Sequence, residues 1–179
     1  MAYTFIENRL GLQPPINQVV SAASVAALFT AINLRPGARA RAQDPTLGAG
    51  DFILLPTIAS ATTGSLVTYR ESASGVYTTA MVPNTANLAQ PLAVAMGTGA
   101  ANNYGWFMLA GTVPIKKTAI KFSPNVAVYI GATTGRISSS AGAGKQVLAA
   151  RASNSATVAS ATSTVTVTIN YPHAQGQIS

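Results

Sequence analysis

The sequence contains no cysteine, so disulfide staples and thiolate metal sites are both excluded. The fold must rest on apolar burial, hydrogen bonds and contacts between subunits. Charge is also scarce: Asp, Glu, Lys and Arg together make up 8% of 179 residues, against roughly 25% in ordinary soluble domains. Acidic residues are the scarcest. They are Glu7, Asp44, Asp51 and Glu71, and beyond Glu71 the formal charge is only positive, on Lys116, Lys117, Lys121, Arg136, Lys145 and Arg151. The longest apolar run, VVSAASVAALF at 19–29, falls well short of the ~20 residues a membrane-spanning helix needs. The preceding Glu7, Arg9 and Pro14-Pro15 argue against reading it as a secretion signal.

These shortages leave little for chemistry. His173 is the single histidine, and with no Cys or second His beside it a histidine-based metal site is not expected. A Ser-His-Asp arrangement would need the same His173, and no GxSxG is present. Asp44 and Asp51 flank the segment DPTLGAGD and are the one acid pair close in sequence. The simpler reading is that Asp44 opens a turn and Asp51 caps the loop before a strand, with Arg39 and Arg41 at hand as ion-pair partners. GAGKQ at 142–146 lacks the earlier glycine of a phosphate loop, where Ser139 stands, and the Ser or Thr after lysine, where Gln146 stands. GTGAAN at 97–102 fails the dinucleotide fingerprint at Asn102. The expectation is no enzyme, no cofactor and no small-molecule substrate.

What the chain does contain is short extended segments punctuated by Gly, Pro and Asn. ARARAQ (38–43), DFILLPTI (51–58), SLVTYRE (65–71), VYTTAM (76–81), PLAVAM (91–96) and YGWFMLAGTV (104–113) read as strands. Further strands are expected near 115–122, 125–130, 136–140, 145–151 and 163–170. About ten strands at 8–12-residue spacing predict an all-β fold, a small antiparallel barrel or a jelly-roll-like sandwich. In STVTVTIN, Val165, Val167 and Ile169 face one way and the threonines the other, predicting one packed face. Trp106 and Met108 alternate with Phe107 and Leu109, which predicts a strand buried on both faces. With no basic residue within nine positions of Trp106, these aromatics read as core and not as a base-stacking platform.

Residues 1–37 read as an extended N-terminal arm followed by a short helix or strand at 19–34, residues 38–170 as the β body, and 171–179 as a C-terminal tail carrying an exposed His173. Arg35-Pro36-Gly37 marks a turn. ATTG occurs at 61–64 and again at 132–135, and shared turn chemistry accounts for it better than duplication does. In the arm, Tyr3, Phe5, Ile6 and Leu10 are apolar residues expected to lie on a neighbouring molecule. Arg9, Arg35, Arg39 and Arg41 are expected to meet its carboxylates, since the net charge of +7 suits an acidic partner.

The segments ARARAQDPTLGAGDFILL (38–55), GSLVTY (64–69), PLAVAM (91–96), YGWFMLAGTV (104–113) and NVAVYIGATTGRISSS (125–140) together resemble small phage head proteins of the cement, or decoration, type. The resemblance implies a compact β body on the outer surface of a virion capsid. There it would bridge neighbouring copies of the major capsid protein, itself a homodimer or homotrimer, with no catalytic residues and no membrane. Another repeating virion part, such as a tail tube or head-fibre base, is the alternative. A nucleic-acid-binding β-barrel is a more distant one, supported by net charge alone.

Overall fold

The computed structural model describes residues 3–6, 14–32 and 34–177. Among the described residues the elements begin with β1 (Thr4–Phe5), β2 (Val19–Ser21) and the helix α1 (Ala22–Ile32). Then follow β3 (Arg39–Asp44), β4 (Gly48–Pro56), β5 (Leu66–Glu71), β6 (Tyr77–Met81) and β7 (Leu92–Ala95). The rest comprises β8 (Asn103–Lys116), β9 (Ala127–Ile130), β10 (Ile137–Ser138), β11 (Gln146–Ala152) and β12 (Thr164–Ala174). These form one large sheet whose named strands all pair antiparallel, and it does not close on itself. The fold is all-β and sandwich-like, as the strand spacing predicted, and not a closed barrel.

Its main path runs β1-β3-β4-β8-β12-β11-β9-β10, and a branch through β7, β5 and β6 leaves from β8. The long β8 is therefore the hub, pairing in turn with β2, β7, β4 and β12. Alternation along the hub strands divides the core in two. Phe52 and Leu54 of β4, Leu92 and Val94 of β7, and Trp106 and Met108 of β8 enter a large cluster shared with β9, β11 and β12. Their neighbours Ile53, Leu55, Ala93, Ala95, Phe107 and Leu109 enter a second, smaller cluster with Val67 of β5. Apolar residues at consecutive positions are what a strand covered on both faces requires. Strand β12 is different: Val165, Val167 and Ile169 are buried, whereas Thr164 and Thr166 are half-buried and Thr168 is exposed.

Strands β6, β5, β7, β8 and β4 wrap one face around the second cluster, and β6 comes back into contact with β4 without hydrogen-bonding to it. Tyr69, Tyr77 and Met81 pack against that cluster from β5 and β6. The RPG turn closes part of this seam. Ala38 N–H donates to the Arg35 carbonyl at 2.9 Å, Pro36 supplies the fixed φ of the first central position, and Gly37 takes φ +88° at the second, as a type II turn demands. A Cβ on Gly37 would lie 2.4 Å from the Tyr77 ring, so glycine here also lets the turn sit flush on that ring.

The N-terminal arm differs from expectation. β1 pairs with β3 and β2 with β8, so two stretches of 1–37 are strands of the body's own sheet. Tyr3 and Ile16 are buried in the main cluster. Residues 19–34 hold both a strand and a helix, and Ser21 caps the helix by accepting from Ser24 N–H at 3.1 Å. The C-terminal boundary also moves. β12 continues to Ala174, and His173 is exposed on that strand, opposite Leu148, and not in a tail. The two ATTG segments do share a turn. Ser65 N–H donates to Thr62 O and Arg136 N–H to Thr133 O, with Gly64 at φ +82° and Gly135 at φ +72°. Only the second closes a hairpin, β9–β10, because β4 and β5 do not pair.

Candidate partner-binding groove

Where the wrapped strands leave their seam open, a surface groove of about 560 Å³ is lined by Arg39, Ile53, Tyr69, Arg70, Glu71, Tyr77 and residues 88–91. Each side chain is placed by a local rule of the sheet. Arg39 stands on β3 opposite Ile53. Tyr69 and Glu71 share one face of β5 through period-2 alternation, and the β5–β6 hairpin sets Tyr77 directly opposite Glu71. The Tyr77 hydroxyl donates to Glu71 Oε2 at 2.9 Å.

A third tyrosine arrives from β12. Between Leu148 and Ala150 the β11–β12 register slips, so β12 carries extra residues there. Tyr171, at the centre of the slip, takes φ +50°, which is rare outside glycine. Such a bulge redirects a side chain out of the regular alternation. The Tyr171 ring lies 5.5 Å from the Arg39 guanidinium carbon, a cation–π contact. Its hydroxyl donates to Asp51 Oδ2 at 3.1 Å. Asp51 also pairs with Arg41 at 3.7 Å, on exposed side chains where such a pair contributes little.

Arg39 thus acts electrostatically on three phenols, and all three hold their protons more tightly than free tyrosine. Burial pushes the Tyr69 hydroxyl up. Burial, followed by the hydrogen bond to Glu71, raises Tyr77, and burial, followed by the hydrogen bond to Asp51, raises Tyr171. The groove therefore offers tyrosine ring faces, the Tyr69 hydroxyl, the Glu71 carboxylate and two guanidiniums, Arg39 and Arg70, neither of them ion-paired with a carboxylate among the described residues. Two large apolar side chains are exposed on elements that contribute to the groove: Val76, which precedes Tyr77 in the β5–β6 hairpin, and Tyr171 of β12.

The residues singled out from sequence separate into three groups. Arg39 is brought into the groove, and Arg41 lies beside it through Asp51. Arg35 is exposed one turn away, preceding Pro36, and Ile6 is exposed at the end of β1. Tyr3 and Phe5 correct the anchor reading: they belong to this chain's own core. Tyr3 meets Phe52 edge-on at 5.1 Å and donates to the Thr112 carbonyl at 2.7 Å. Phe5 meets Trp106 edge-on at 5.5 Å. Arg9 and Leu10 lie outside the described residues. Asp51 is likewise corrected, from a loop cap to mid-strand β4, whereas Asp44 does close its turn by accepting from Thr46 and Leu47 N–H.

Trp106 is core, 1% exposed, with its indole N–H on the Pro14 carbonyl at 2.9 Å. Lys145 donates to Asn84 Oδ1. Sequence reading missed Tyr69, Tyr77 and Tyr171 as a group. The hairpin signal at SASG would have paired Glu71 with Tyr77; nothing in the sequence announces the bulge that delivers Tyr171. Among the described residues no three His, Asp or Glu side chains gather as a metal site, and no helix is long and apolar enough to cross a membrane. Comparison with family models, with curated proteins and with solved structures finds no match.

Proposed function

We propose that this chain is a virion structural protein that binds the outer surface of an assembled phage capsid and stabilises it by bridging neighbouring major capsid subunits. The observation that carries this reading is the groove: two guanidiniums, Arg39 and Arg70, beside three protonated phenols, with Val76 and Tyr171 exposed on the strands and hairpin that form it. Tyr and Arg are the residues that dominate protein–protein binding energy, because each combines a large contact area with a polar end. The net charge of +7 favours an acidic protein surface as the partner. With so few charges, much of the surface has little to keep it apart from companions. Binding only the assembled shell would stabilise that state by mass action.

The arm plays a smaller part in this account than its sequence suggested, since Tyr3 and Phe5 hold the body together. Deleting residues 1–18 would therefore unfold the sheet edge before it tested any contact. The informative test is co-sedimentation with assembled shells and, separately, with unassembled capsid subunits. Wild-type protein is expected to pellet with shells alone, at a fixed copy number. Arg39→Ala is expected to weaken that binding roughly 30-fold, the effect of losing about 2 kcal/mol at an interface hot spot. Equal binding to free subunits, or no loss with Arg39→Ala, would count against the reading.

A further inference from the structure

Just past the end of β8 stands a lysine where the strand's pattern calls for an apolar residue. Val113 and Ile115 enter the main cluster, and alternation carries Lys117 into the same buried row. At 1% exposure it is the most deeply buried charged side chain among the described residues. Burial pushes the Lys117 ammonium below the ordinary lysine range, because a charge there loses its hydration. No carboxylate offsets this cost: Lys117 forms no ion pair among the described residues. The charged side chains on the segments packed around it are Lys116, Lys121 and Arg136, all cationic.

What meets the ammonium is backbone. Lys117 Nζ donates to Ile120 O at 2.7 Å, to Ser160 O at 3.2 Å and to Thr118 O at 3.3 Å. An ammonium has three N–H donors, so these carbonyls take its full capacity. Ile120 O and Ser160 O accept from no other group among the described residues. The carbonyls belong to two segments far apart in sequence. Beyond the ammonium, Phe122 and Val158 exchange N–H···O bonds at 3.0 and 2.8 Å, and Lys117 N–H donates to Ser163 O at 3.0 Å. The cover over Lys117 is thin, since Ala119, Lys121, Ser160 and Ala161 are all exposed.

We propose that the carbonyls of Thr118, Ile120 and Ser160 form a primary-ammonium site, which the chain fills with its own Lys117, and that the filled site latches segments 118–122 and 158–163 together. The acceptors themselves select this occupant. They are neutral, so they suit a single positive charge. Three oxygens are too few for a calcium ion, which takes roughly 6–8, but they match the three N–H groups of an ammonium. The apolar stem of Lys117 continues the buried row of β8 and delivers the charge from below. Without the cation, Ile120 O and Ser160 O would be left unsatisfied under their own loops, which costs free energy. The latch uses neither the groove nor a shell, so it stands apart from the capsid reading.

The unaltered chain gives the first test. In nitrogen-15 NMR near neutral pH, the Lys117 ammonium protons are expected to exchange with water far more slowly than those of the exposed Lys121. Lys117→Ala then empties the site. Hydrogen exchange at the Phe122 and Val158 amides is expected to quicken on the order of 100-fold, the effect of losing two charge-assisted hydrogen bonds. Added n-propylammonium, the fragment that this substitution removes, is expected to restore the protection. Tetramethylammonium at the same ionic strength has no N–H and is expected to leave it lost. Lys117→Met keeps an apolar stem without the charge, and is expected to lose the protection and to gain nothing from propylammonium. If Lys117→Ala does not fold, recovery of its fold by propylammonium over tetramethylammonium becomes the readout, and the unaltered chain decides without it. Lys117 protons that exchange as fast as those of Lys121, loops equally protected in Lys117→Ala, or no preference for propylammonium over tetramethylammonium would overturn the proposal.

Discussion

Strands β4, β7 and β8 and strand β12 belong to the same sheet and are read by opposite rules. The first three bury consecutive residues, as in Phe52-Ile53-Leu54-Leu55 and Trp106-Phe107-Met108-Leu109, because the sheet wraps a second cluster behind them. β12 buries every second residue and leaves Thr168 to the outside. The lesson concerns exposure of function. A sheet face that is buried has no surface left to offer, and the groove lies at the seam where wrapping stops. There Arg39, Tyr69 and Tyr77 surround the groove.

Substitutions can break or sharpen that contrast. The largest loss is expected for Phe107→Ala, at roughly 3–5 kcal/mol, because the second cluster has few residues to collapse into the cavity. Denaturant unfolding would measure it, and a loss under 1 kcal/mol would mean that the second face is not a packed core. Val167→Ala, on the buried face of β12, is expected to cost about 1–3 kcal/mol.

Tyr3→Phe is expected to cost about 1 kcal/mol near neutral pH, from the lost hydrogen bond to Thr112. Its pH dependence is more telling. Burial, with a smaller contribution from Asp44, pushes the Tyr3 hydroxyl up from 10.0 to about 12. The folded state favours the protonated phenol, so that stabilisation is complete below pH 10 and is lost as pH rises from 10 through 12. The stability gap between wild type and Tyr3→Phe should therefore narrow over that window. A gap constant across it would mean that Tyr3 is not held in the core. The smallest effect is expected for Thr168→Ala, within about 0.5 kcal/mol on the exposed face of the same strand as Val167.

Much of this was legible in the residues. Strand-like alternation in STVTVTIN and the double-sided apolar run at YGWFMLAGTV follow directly from the period of a strand, and both are seen. The RPG turn was legible because Pro and Gly carry its dihedral angles. The fate of the arm was not, since Tyr3 and Phe5 announce that they will be buried but not against which surface. Asp51 was misplaced because DPTLGAG reads as one loop. In the structure the turn needs only Pro45, Thr46 and Leu47, and Gly48 already starts β4. The groove was legible only in part. Arg39 stood out as a charge in a charge-poor chain, but Tyr171 reaches it through a register slip that depends on the packing of β11 against β12.

The central claim is that the groove is the face turned to a partner shell. Hydrogen–deuterium exchange of the free and the capsid-bound protein tests it most directly. The account expects new protection at residues 37–41, 69–77, 88–91 and 170–172, with the doubly buried β8 unchanged. Protection elsewhere with those segments still exchanging freely, or no change on mixing with shells, would contradict it.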